Sequence, residues 1–222
     1  MRSTLHACKH IAGSFMIKSI LLITVCFCFL KFNALAQRKP GLDLQAVVEM
    51  MENRHEEPTE FYQHISNSTN YISMLVPLTV LSTGIARNEK TTINKGIYMA
   101  ESLIASSLVT FGMKYTFRRQ RPFQADTYIV QASSGGGPSF PSGHTSEAFA
   151  TATSLTLSYP KWYVAVPAYT WAASVGYSRM YLGVHYPSDV LAGAVIGAGS
   201  AWLMYKANKW LFKKKPEFKT QF

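Results

Sequence analysis

Between Phe117 and Pro141, a chain that elsewhere repeats apolar residues at helical intervals stops doing so. The stretch is basic at first, then rich in Gly and Ser from Ser133 to Gly137, with prolines at 122, 138 and 141. Irregular connections of this length are more often functional than merely connecting. Helical patterns flank it on both sides. Leu42 to Glu57 is amphipathic, with Leu44, Val47, Val48 and Met51 against an acidic face, and Pro58 is expected to end it. Tyr71 to Ala86 is strongly apolar, with Pro77 near its middle, and a polar turn at Arg87 to Lys90 separates it from a long helix over Thr92 to Thr116. After the irregular segment, helices are expected over Ser142–Ser158, Lys161–Ser178 and Ser188–Phe212. The last carries Gly193, Gly197 and Gly199 along one side, a spacing that permits close helix packing. No segment alternates with the period of a strand and no repeat is present. The fold class expected is all-α, a helical bundle of roughly five to six helices.

The N-terminus reads as a targeting segment. Lys18 precedes an apolar run from Ile20 to Leu30, and Ala34-Leu35-Ala36 offers small residues at the spacing of a signal peptidase site. Residues 1–36 are thus expected to be a cleaved signal peptide, with Met16 as a second candidate start, and 37–222 a single domain. All three cysteines (Cys8, Cys26, Cys28) fall in the leader, so the mature chain would have no disulfide and no thiolate nucleophile. The formal charge is +10; Arg2, Lys9, Lys18 and Lys31 belong to the leader, leaving +6. Such a balance suits an anionic partner. No nucleic-acid module with aromatics interleaved among basic residues is present. The chain is 48% hydrophobic and only 15% charged, yet its mean hydropathy is +0.03. Its apolar runs are shorter than a bilayer span requires and are interrupted by Ser, Thr, Tyr and Glu. Hydropathy alone leaves open whether the helices cross a membrane or form a soluble bundle.

Three clusters hold polar residues that a bundle core does not otherwise tolerate: Lys114 with Arg121-Pro122, Pro141-Ser142-Gly143-His144, and Arg179, His185 and Asp189. Each has a plainer reading. Lys114 and Arg121 could be an ordinary helix-end charge cluster, Ser142 an N-cap, His144 a satisfied core histidine, and His185 a surface residue near an unrelated Asp. Their complementarity favours function. Lys114, Arg121 and Arg179 supply three cations, two of them guanidiniums able to grip phosphate oxygens bidentately. Ser142 and Gly143 at a helix N-terminus add backbone donors. His185 could attack while Asp189, four residues on, holds the other ring nitrogen, and His144 could pass a proton to a leaving group. These are parts for phosphoryl transfer without a metal or other cofactor.

Lys114-x6-Arg121-Pro122, Pro141-Ser142-Gly143-His144 and Ser178-Arg179-x5-His185-x3-Asp189 together resemble the three-part signature of the type 2 phosphatidic acid phosphatase superfamily, which also holds class A acid phosphatases and vanadium haloperoxidases. The resemblance covers residues 114 to 189. It implies a phosphohistidine at His185 assisted by Asp189, proton transfer by His144, and phosphate held by Lys114, Arg121, Ser142, Gly143 and Arg179. It further implies a phosphomonoester or diphosphate substrate, a lipid phosphate of the phosphatidic acid, phosphatidylglycerophosphate, undecaprenyl diphosphate or lipid A type. The alternatives are a secreted acid phosphatase on soluble phosphomonoesters, a vanadate-dependent haloperoxidase and an inactive lipid-binding scaffold. The expected partners are a phosphorylated lipid or small phosphoester and a membrane surface, with no nucleic acid. The expected location is the bacterial-type cell envelope with a periplasm-facing site.

Overall fold

The computed structural model describes residues 41–213. The expected signal peptide and all three cysteines lie outside the described residues. Seven helices follow in order within that range: α1 (Gly41–Glu52), α2 (Glu56–Ala86), α3 (Lys90–Phe117), the one-turn α4 (Pro122–Ala125), α5 (Gly143–Ser158), α6 (Trp162–Tyr181) and α7 (Pro187–Lys213). No strand occurs among the described residues, as the periodicity predicts.

The N-terminal boundaries differ from expectation. Pro58 does not end α1; it sits in the first turn of α2, where a missing N–H costs nothing because that donor has no intrahelical acceptor. Tyr71 to Ala86 is therefore only the second half of a 31-residue helix. Arg179, expected in a junction after a helix ending at Ser178, lies within the last turn of α6.

Helix α5 is the centre of the bundle, packing most extensively on α7 and also on α6, α3 and α2. Two glycines set its approach to α7. A Cβ on Gly193 would lie 2.6 Å from the Ser142 carbonyl oxygen, and one on Gly197 would lie 2.2 Å from that of Ser146. The small-residue stripe thus does bring backbones together, except at Gly199, which faces nothing within 4 Å.

The side-chain distribution is inverted relative to a water-soluble bundle. Small hydroxyl residues fill the interior: Ser66, Thr69, Ser102, Ser106, Ser146 and Ser154 are all essentially inaccessible. Many satisfy one another or a backbone carbonyl, as Thr110 Oγ1 does with Ser146 Oγ at 2.9 Å. Large apolar side chains face outward, among them Leu75, Ile104, Leu108, Phe111, Val195 and Trp202. This distribution is expected where lipid surrounds the bundle. Three stretches, Thr59–Ala86, Lys90–Ala125 and Pro187–Leu211, are long and apolar enough to cross a membrane.

Candidate active site

The 182–186 connection is built by a glycine. Gly183 adopts φ +71°, a left-handed conformation that caps α6 and reverses the chain, so that the N–H groups of Val184 and His185 return to the Arg179 carbonyl, 3.2 Å each. Any Cβ there would also meet Ile129 Cγ2 at 2.9 Å. Four residues on from Gly183, Pro187 opens α7, and Asp189 in its first turn reaches back to accept the Tyr186 N–H at 2.9 Å. That reach is half of a capping box, and it points the carboxylate toward His185.

Asp189 Oδ2 lies 3.3 Å from His185 Nδ1, and both side chains are buried. With Nδ1 donating to the carboxylate, Nε2 keeps a lone pair, and Arg121 Nη1 stands 3.3 Å from it. Arg121 also ties two loops together: it donates to the Gly136 and Gly137 carbonyls of the irregular segment and to the Val184 carbonyl of the 182–186 connection, at 2.9–3.0 Å. The loop comes this close because Gly135 has no side chain; a Cβ would sit 3.0 Å from Arg121 Nη1. Lys114 Nζ donates to the Pro138 carbonyl at 2.7 Å. Arg179, 2% exposed, donates to Ser66 Oγ, to Ser133 Oγ at 3.1 Å and to the Ser134 carbonyl at 3.2 Å. Its Nε is buried without a hydrogen-bond partner among the described residues, a donor that an anion would satisfy.

Ser142 does not cap α5 through its side chain. Its hydroxyl accepts from Thr145 Oγ1 at 2.8 Å and keeps its own proton, while its N–H donates to the Asp189 carbonyl at 3.0 Å. Gly143 and His144 follow as the first residues of the helix, where N–H groups lack intrahelical acceptors. The His144 imidazole is partly buried and feels the charges of Arg179, Arg121 and Lys114; desolvation first, then those three cations, push its pKa down to about 3. His185 is also pushed down to about 3, by burial above all, with the Asp189 hydrogen bond opposing. The eight expected residues therefore converge on one region. Among the described residues, no three His, Cys, Asp or Glu side chains are grouped as metal ligands.

Other residues in the site were not expected. Ser139 donates a short hydrogen bond to Asp189 Oδ2. Arg119 donates to Asp189 Oδ1 at 2.8 Å and to Asp43 Oδ2 at 2.9 Å. Arg119 and Ser139 each stand two residues from an expected position, Arg121 and Pro141; nothing local marks Asp43.

The PAP2 superfamily model matches residues 95–213. The lipid A 4'-phosphatase of Bacteroides thetaiotaomicron is 40% identical over 86 residues, 39% of this chain and 38% of that protein. The undecaprenyl-diphosphatase of Sulfolobus acidocaldarius is 32% identical over 130 residues, 58% of this chain and 60% of that protein. The chain thus spans less than two thirds of these relatives' lengths. The crystal structure of Aquifex aeolicus LpxE superposes with a TM-score of 0.64 at 27% identity, covering 75% of this chain and 96% of that one. With the family model matching more than half of its length, the chain belongs to the PAP2 superfamily.

Proposed function

We propose that the protein is a metal-independent phosphatase acting on a lipid phosphate or diphosphate through a phosphohistidine. The observation that carries this reading is His185, buried with Nδ1 against Asp189 and Nε2 facing Arg121, each at 3.3 Å. In the reaction, the Nε2 lone pair forms a bond to phosphorus as the bond to the leaving oxygen breaks. His144, as an imidazolium, gives that oxygen its proton. The now neutral His144 takes a proton from water, which attacks the phosphohistidine; phosphate leaves and His185 regains its lone pair. Lys114, Arg121, Arg179, the Ser142 hydroxyl and the Gly143 N–H hold the phosphoryl oxygens, supplying the charge that stabilises the transition state.

A lipid substrate is supported by an apolar groove in the same bundle. A cavity of about 690 Å³ runs between α2, α3 and α5, lined mainly by apolar residues such as Met74, Leu78, Leu81, Leu103 and Ile104. Glu147, three residues after His144 on α5, also lines it, so the helix that carries His144 contributes to the groove. The named activities of the lipid A phosphatase and undecaprenyl-diphosphatase relatives support the same class. We place the enzyme in the cell envelope, its phosphate pocket facing the periplasm.

The test is phosphate release by the purified chain from lipid A, undecaprenyl diphosphate, phosphatidylglycerophosphate, phosphatidic acid and a soluble aryl phosphate, with and without EDTA. Release is expected from at least one lipid, unaffected by EDTA and lowered by about 10³-fold or more in His185→Ala. A His185→Ala enzyme near wild-type rate, or turnover of the soluble ester alone, overturns the proposal.

A further inference from the structure

The carboxylate that orients His185 is itself held from the far side. Asp189 is wholly buried, a costly place for a charge unless donors surround it. Its Oδ2 takes His185 Nδ1, the Tyr186 N–H and the Ser139 hydroxyl. Its Oδ1 takes Arg119 Nη1, at 2.8 Å. The Arg119 guanidinium carbon lies over the Tyr186 ring, 3.9 Å from its centroid, and cannot swing away without losing that cation–π contact. Its other end is fixed by Asp43 of α1, 2.9 Å from Nη2. Asp43 in turn accepts the Ser188 N–H at 3.2 Å and the Ser188 hydroxyl, so it grips the first turn of α7 beside Asp189. Helix α1 is pressed down by Val47 and Met51 against Ile129 and Tyr186, and by Arg54, which donates to the Val130 carbonyl at 2.8 Å.

We propose that Arg119, anchored by Asp43, is a positioning residue that fixes the rotation of the Asp189 carboxylate, which makes α1 a working part of the active site. The carboxylate–guanidinium–carboxylate chain sets which oxygen of Asp189 faces the imidazole and keeps the Arg119 charge out of the phosphate pocket. Asp43 precedes residues 95–213, the segment that carries the family match. This inference rests on the phosphatase reading with His185 as nucleophile.

The experiment compares Arg119→Gln, Arg119→Lys, Asp43→Asn and Asp43→Glu in the full chain, with Arg54→Gln as a control that removes a contact just past the other end of α1 and leaves the Asp43–Arg119–Asp189 chain in place. Arg119→Gln and Asp43→Asn should lower kcat by about 10- to 100-fold, with KM changed by no more than about threefold. The Lys and Glu variants should recover part of the loss, and Arg54→Gln should keep the wild-type kcat. Wild-type kcat in Arg119→Gln, a loss carried by KM, or an equal kcat loss in Arg54→Gln overturns the assignment. Activity surviving in His185→Ala would instead overturn the phosphatase reading. Calorimetric titration with orthovanadate, a phosphate analogue, gives a readout independent of turnover. Affinity should fall about tenfold in Arg119→Gln and Asp43→Asn but not in Arg54→Gln; equal affinity in all overturns the positioning role.

Discussion

His144 is partly desolvated and faces three cations, which is why its imidazole sheds its proton down to a pKa of about 3. As the proposed proton donor it must be charged, and the substrate supplies the remedy. A phosphate among Lys114, Arg121 and Arg179 reverses the local potential and raises the His144 pKa, so anion binding should draw a proton into the site. At pH 6, calorimetry of orthophosphate binding in buffers of different ionisation enthalpy should show net proton uptake, reduced in His144→Gln; uptake equal in both proteins would refute the coupling. The same shift governs stability. His144 and His185 bind protons more weakly folded than unfolded, where the pKa is about 6.5, so their contribution is fully present above that value and lost as pH falls toward 3. Thermal unfolding in detergent should move to lower temperature between pH 7 and pH 5, less steeply in His144→Gln. Asp189 was legible in the sequence because its link to His185 is local, one turn away. Arg119 and Asp43 were not, because their contacts join positions 70 and 76 residues apart. No local spacing encodes such a meeting.

Helices α5 and α7 show what a single hydrogen in place of a side chain permits. The Ser146 carbonyl occupies the space where a Gly197 side chain would begin, and it belongs to the helix that carries His144. Because backbone cannot be pushed aside as a flexible side chain can, Gly197→Leu should destabilise by upward of about 3 kcal/mol. The measurable result is a lower unfolding temperature and lost phosphate release together; Gly199→Ala, which meets nothing, should leave both unchanged. The small-residue stripe was readable in sequence, but not which glycine touches the neighbour, because that depends on where the helices cross. Pro58 misled for a related reason. Proline ends a helix or begins one, and only the chain before it decides.

At the scale of the whole molecule, polar seams face inward and aliphatic surface faces outward, which explains why hydropathy was ambiguous. A sliding average sums both faces of a helix, so Ser102, Ser106 and Thr110 cancel Ile104, Leu108 and Phe111, although the first set is buried and the second exposed. The protein should therefore stay in the membrane fraction after an alkaline carbonate wash; release into the supernatant would mean that the exposed apolar belt is covered by something other than lipid. Asp43 adds a consequence for biogenesis. It leaves the ribosome 76 residues ahead of Arg119 and 145 ahead of Ser188. The earliest described helix must wait, unclasped, through the emergence of nearly every later one, and its grip on Ser188 can close only when the last long helix begins to appear.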